Sequence, residues 1–386
     1  MTKNKIDERK REPACDRFYG IDALRILATL GIITIHLFSV GGVADSLSGV
    51  WTLRGIVVFP VHVLSFSSVN LYAMISGFVL IRSKIRFSKL LLLWLQVCFT
   101  GLVLCLAAAF LFKQEVNSRQ WLSTVLPITT REYWYFSCYA ALYCLLPIIN
   151  RGIVALNARS LRLLLKLLFL LIVCAGALGW LTDTDPFSVM MGYSAFWLLI
   201  MYLFGAGFRL TDFLEDTPTW KLWLTVAACI AVCGALAALQ DLTDFPALIM
   251  RTGFFAPGRW RMLIVDYQNP LLVVICIVLL RIFTRLKPGK KLTAVIKLLA
   301  PLTFGIYLIH VNGCVFSHFR NAFSWIAEKR ALLILPLLLG VALAIFLGCA
   351  VLEWLRLRLF QLLRVADFCN GVEARLRASL FRSERE

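Results

Sequence analysis

Long apolar runs recur along this chain, each close to the ~20 residues an α-helix needs to cross the hydrocarbon core of a bilayer. They lie at 21–43, 56–81, 90–112, 133–150, 163–182, 186–208, 219–240, 266–284, 298–319 and 331–353. Lipid offers no water to an open backbone, so such a chain must close its hydrogen bonds within helices. Composition agrees: 60% of the 386 residues are hydrophobic and 16% are charged, against about half and a quarter in globular chains. The polar residues are too few to cover a water-soluble particle. The expected fold is an all-α integral membrane protein with about ten transmembrane helices. The eighth run is the weakest, because Arg281 interrupts it; an arginine there can snorkel to the interface.

Net charge is +18, yet the basic residues form short clusters between apolar runs rather than one patch. That pattern is a topology signal and excludes nucleic acid as the expected partner. With the N-terminus inside, the inner segments hold 29 Lys and Arg and the outer segments 10. The chain is therefore expected N-in/C-in. A basic cytoplasmic tail spans 1–18, the membrane domain 19–356, and a second basic cytoplasmic tail 357–386, both tails mobile or surface-bound. The first apolar run carries Asp22, Arg25 and His36, so it reads as a retained helix rather than a cleaved signal. Trp51, Trp121, Tyr133, Tyr135, Trp180 and Tyr267 sit near run ends, where an interfacial aromatic belt is expected. Most of the 12 cysteines lie in apolar runs and no CxxC pair occurs, which reads as packing. His36, His62, His310 and His318 do not pair at ligand spacing, so no metal site is expected.

Chemistry concentrates in the first run. Arg25 and His36 are eleven residues apart, close to three helical turns, and so share a face. They are separated by roughly 16 Å along the axis. Ionisable residues inside a membrane usually face the bundle interior. Arginine suits a phosphate, and histidine is the usual general base near neutral pH. One at the inner mouth and one deeper would suit a long, phosphate-headed donor. Histidine alone also fits a neutral imidazole bonded across helices, and Arg25 alone fits a snorkelling cation.

The stretch IDALRILATLGIITIH, with Arg25 and His36, resembles the opening of the acyltransferase-3 family of membrane acyltransferases. Three further segments resemble that family in order: VNLYAMISGFVLI with Ser76 and Gly77, EYWYFSCYAALYCLLPII with Trp134, Tyr135, Tyr143 and Pro147, and LAPLTFGIYLIHVN with Gly305, Tyr307 and His310. Within the family the chain is similar to O-acetyltransferases of surface glycans, such as that of the enterobacterial common antigen. One departure stands out. Members often carry Arg-x-x-Arg where the third helix begins, whereas this chain offers Arg82, Lys84, Arg86 and Lys89 with Arg86-x-x-Lys89 as the nearest substitute. Lysine binds phosphate as a point charge, without the bidentate fork.

The resemblance implies transfer of an acyl group, acetyl by family frequency, from cytoplasmic acyl-CoA to a hydroxyl of a cell-surface or lipid-linked glycan. It implies a multi-pass protein of the bacterial inner membrane with no permanently bound cofactor. Arg25, Arg82, Arg86 and Lys89 would hold the donor phosphates, and His36 would act as base. Trp134, Tyr135, Tyr143, Tyr307, His310 and Ser76 would line the acceptor cavity, with Tyr135 or Tyr143 facing the developing oxyanion. The competing expectation is a transporter or flippase that uses Arg25 and His36 as a substrate path.

Overall fold

The computed structural model describes residues 17–47, 52–179, 184–211, 213–242 and 266–383. The aromatics Trp51 and Trp180, most of the N-terminal tail and all but the first two residues of the expected outer loop at 241–265 lie outside the described residues. Among the described residues the structure is all-helical, with no strand.

Each of the ten apolar runs has a helix. In chain order these are α1 (Tyr19–Phe38), α2 (Leu53–Leu80), α3 (Phe87–Leu111), α4 (Trp134–Ala155), α5 (Ala158–Leu178), α6 (Ala195–Leu210), α7 (Thr219–Leu242), α8 (Pro270–Arg285), α9 (Lys290–Val311) and α10 (Ala331–Leu362). Among the described residues eight are long and apolar enough to cross a membrane; α6 and α8, with 16 residues each, are shorter. At 1.5 Å per residue, 16 residues span about 24 Å, short of the ~30 Å core. Helix α10 continues to Leu362, beyond the expected end of its run at 353, and a further long helix, α11 (Val365–Ser383), follows in the expected tail.

Local chemistry sets the ends. Thr52 caps α2 by accepting from the Gly55 N–H at 3.1 Å. Asn269 caps α8, and Pro270 takes its first position, where no N–H is needed. Asn312 leaves helical geometry (ψ 134°) and stops α9.

Helix α2 runs through the middle, with α1 and α6 packed along it and α8 and α10 flanking. Apolar side chains gain little by leaving lipid for protein, so close packing must hold such a bundle. Two glycines show how close the packing is. A Cβ on Gly77 of α2 would collide with the Tyr202 carbonyl of α6, and one on Gly205 of α6 would collide with the Met74 carbonyl of α2. Buried polar links add to this. Asn70 of α2 donates to the Tyr267 carbonyl at 2.7 Å and accepts from the Trp197 indole at 2.9 Å. Glu353 of α10 is fully buried, accepts from Gln96 of α3 at 3.1 Å and pairs with Arg356. Its carboxylate fills the space beside Gly305, where a Cβ would collide with it.

Arg281 has defined partners at the end of α8. It donates to the Phe213 carbonyl, while Arg285 donates to the carbonyls of Leu214, Glu215 and Thr217. The interruption of the eighth run thus ties α8 to the loop after α6.

Helix α11 docks on the start of α3. That helix begins after Arg86, which offers no side-chain cap. The Glu373 carboxylate supplies one, accepting from the Ser88 N–H at 3.0 Å. Hydrogen bonds from Ser88, then the Arg377 guanidinium, hold the Glu373 carboxyl down at about 2. A carboxylate at a helix N-terminus is also favoured by the helix dipole.

Candidate active site

Helix α1 is continuous from Tyr19 to Phe38, so Arg25 and His36 lie on one rod at the separation read from spacing. Close approach to α2 is possible because position 31 is glycine; a Cβ there would strike the Ser68 side chain. Each end of α1 opens onto a cavity.

The first cavity, ≈ 380 Å³, gathers four guanidinium side chains, Arg17, Arg25, Arg82 and Arg209, around one carboxylate, Asp22. Asp22 pairs with Arg17 at 2.7 Å and faces Arg25 at 3.5 Å. Arg209, in the last turn of α6, lies over the rings of Phe18 and Phe78 at 4.3 and 4.8 Å. Among the described lining residues, four guanidinium groups face one carboxylate, a set suited to an anion. Sequence reading had Arg25 and Arg82 here but not Arg17, Asp22 or Arg209. Arg209 directly follows the expected sixth run at 186–208, where it reads as one more inner-loop positive charge, and the structure places it in the last turn of α6.

The basic segment before α3 is divided between two places. Arg82 faces the arginine cavity, whereas Arg86 lines a separate cavity with Lys84, Arg151, Glu373 and Arg377 beneath α11. Lys89 lines neither of these. Tyr143 is also on this side: its hydroxyl donates to the Arg86 carbonyl at 3.1 Å. Tyr143 therefore does not line the cavity at His36, and neither does Ser76, whose hydroxyl donates to the Tyr72 carbonyl at 3.0 Å.

The second cavity, ≈ 40 Å³, is lined by His36, Tyr72, Trp134, Tyr135, Tyr267 and Tyr307, with apolar contacts from Ile32 and Phe304 among others. Tyr133, Tyr135 and Tyr267 were expected in the interfacial belt. Tyr133 and Tyr267 are instead 1% and 4% exposed, and Tyr135 and Tyr267 face the cavity. The physical reason is that the ends of α4 and the turn before α8 fold over the bundle at this point. Glu132 accepts from the Gly313 N–H at 2.8 Å, and Asn312 donates to the Tyr133 hydroxyl at 2.8 Å. These bonds hold the start of α4 against the end of α9. Tyr72, absent from the expected set, lines this cavity, and its hydroxyl is 3.2 Å from that of Thr29, one turn beyond Arg25 on α1.

His36 and His310 meet across 274 residues of sequence, His36 Nδ1 lying 3.2 Å from His310 Nε2. His310 is fully buried, and its Nδ1 is 2.7 Å from the Ile306 carbonyl. A carbonyl can only accept, so His310 Nδ1 carries the proton and, in a neutral ring, Nε2 is an acceptor. His36 Nδ1 must then be the donor in the second bond. That assignment, read from the network of partners, leaves the lone pair on His36 Nε2. A histidine whose Nδ1–H is held by an acceptor, with Nε2 left free, has the arrangement of a general base. Phe316 packs against the His36 ring edge to face at 4.9 Å.

Two more groups lack partners. The Tyr135 and Tyr307 hydroxyls are buried and make no hydrogen bond with a described residue. Buried polar groups are nearly always bonded, so each orphan calls for an explanation. Both residues line the cavity that contains His36. His62 lies elsewhere, packed on Phe38 and Phe66. Among the described residues, no group of three or more His, Cys, Asp or Glu side chains stands together.

Residues 18–354 match a family described as an acyltransferase domain, acyltransferase-3. Among curated proteins and among solved structures, none matches the chain. The matched span begins just before α1 and ends within α10, so every lining residue of the two cavities beside α1 except Arg17 falls inside it.

Proposed function

The chain belongs to the acyltransferase-3 family and is a membrane acyltransferase; from that premise we propose that it moves a short acyl group, acetyl, from acyl-CoA to a hydroxyl of a surface or lipid-linked glycan. The observation that carries this reading is the His36–His310 pair, with the free nitrogen of His36 beside two unpartnered tyrosine hydroxyls. His36 Nε2 takes the proton of the acceptor hydroxyl as its oxygen attacks the thioester carbonyl. The C–S bond then breaks, an ester forms, and the proton passes from His36 to the departing thiolate, which leaves as CoA thiol. Tyr135 and Tyr307 are suited to donate to the oxyanion of the tetrahedral intermediate.

The donor is supported by the arginine cavity at the other end of α1. The CoA phosphates would lie among Arg17, Arg25, Arg82 and Arg209, with the pantetheine arm following α1 past Thr29 and Tyr72. The distance to cover is roughly 16 Å. The N-in/C-in orientation read from loop charge makes this cavity cytoplasmic and His36 deep, in an inner-membrane protein. The acetyl group rests on the resemblance, acetyl being the frequent acyl group of the family. The glycan acceptor rests on the resemblance to O-acetyltransferases.

The test is radiolabelled acetyl-CoA added to inverted membrane vesicles containing the protein and acceptor glycan. Label is expected in the glycan and free thiol in the medium. Movement of an unmodified substrate across the vesicle wall without label transfer would instead make the protein a transporter.

A further inference from the structure

A further cavity, of ≈ 670 Å³, lies away from α1, between α5, α6, α7 and α8. Its walls are nearly all apolar, with Phe169, Leu170, Phe204, Phe208, Leu222 and Ile277 prominent. Leu170 and Phe213 are 59% and 44% exposed, so the groove is open along its side rather than sealed in the core. The wall at Phe169 and Leu170 belongs to a π-helical stretch of α5, Phe169–Cys174. Such widened turns frequently occur at functional sites.

One end of the groove is cationic. Arg162 and Lys166 are exposed, line the cavity and stand four residues apart on one face of α5. Among the described residues of the lining none is acidic, and neither cation pairs with a described residue. Arg281 lies behind the same wall, 4.4 Å over the Phe208 ring, and donates to the Phe213 carbonyl. Leu165, between the two cations, packs beside Gly207 near the end of α6, which places the basic end next to the Thr211–Thr217 loop.

We propose that this groove binds one anionic phospholipid, with its phosphate and headgroup on Arg162 and Lys166 and an acyl chain along the aromatic wall. Two cations alone would suit any phosphate. A long apolar groove beside them selects an amphiphile, and basic pockets between membrane helices favour anionic headgroups. A zwitterionic lipid brings its own ammonium toward the same two cations and binds less tightly. The site is independent of the acyl-transfer reading, because it shares no lining residue with the arginine or His36 cavities.

The test is native mass spectrometry of the delipidated full chain in detergent, titrated separately with phosphatidylglycerol and phosphatidylcholine. The first phosphatidylglycerol is expected to bind about tenfold tighter than phosphatidylcholine. The double variant Arg162→Gln/Lys166→Gln should bring the two lipids within about twofold. Thr225→Trp, which fills the groove from its exposed side, should weaken both. Unchanged phosphatidylglycerol affinity in the double variant overturns the proposal. So does displacement of the lipid by equimolar glycerol phosphate, which would make this a site for soluble phosphate.

Discussion

Replacing His310 with leucine removes the acceptor that orients His36. In the native arrangement the Ile306 carbonyl fixes one His310 nitrogen at 2.7 Å, and the other lies 3.2 Å from His36 Nδ1. Leucine leaves the His36 Nδ1–H buried without a partner, which costs about 1–3 kcal/mol. The ring relieves this by moving its proton to Nε2 or by turning away, and both changes remove the lone pair from the cavity. At a factor of ten per 1.36 kcal/mol, kcat should fall by roughly five- to 150-fold. The KM for acyl-CoA should change little, because the arginine cavity is roughly 16 Å away along α1. Glutamine keeps a carbonyl acceptor at similar reach, so His310→Gln should recover part of the loss. The assay is label transfer from acetyl-CoA at matched protein levels in membranes. Activity of His310→Leu within twofold of wild type, or His310→Gln no better than leucine, would refute the tautomer argument.

Three more outcomes follow from other parts of the molecule. Arg209→Ala should weaken acyl-CoA binding by about tenfold, through loss of a charge-assisted contact, while turnover at saturating donor is retained; equilibrium binding and kinetics together check it. Gly205→Ala forces a methyl group into the Met74 carbonyl and should destabilise the α2–α6 crossing by about 1–3 kcal/mol, seen as earlier thermal unfolding in detergent. Glu373 has a carboxyl depressed from about 4.5 to about 2, so its contribution to docking α11 is complete above about pH 4.5 and is lost as pH falls toward 2. Hydrogen exchange of α11 should therefore rise across that interval, and Glu373→Gln should show the raised exchange already at neutral pH.

The helices were legible because lipid makes a simple demand, an apolar run of the right length. Their ends were less so. The ninth run was read as 298–319, but α9 starts at Lys290, where an amphipathic first half tolerates Lys290 and Lys291, and it stops at Asn312. The sixth was read from 186, whereas the Ser194 cap starts α6 at Ala195. Within the site, Arg25 and His36 could be paired from spacing alone because they share one helix. His36 and His310 could not, since nothing in either helix's periodicity says which faces meet. Arg209 resembled any other positive charge at a helix end. Tyr267 resembled any interfacial tyrosine, and only the bond from Asn70 to its carbonyl shows the turn folding inward. Tyr143 was read as a cavity tyrosine from its motif, but it lies two turns along α4 from Tyr135, too far to share that cavity.

The most direct measurement is transfer of label from acetyl-CoA to acceptor glycan in vesicles containing His36→Ala, compared with wild type at equal abundance. Removing a general base should lower turnover by roughly 10²- to 10⁴-fold while acyl-CoA binding persists. Undiminished transfer by His36→Ala would contradict the assignment of the base and, with it, the mechanism built on α1.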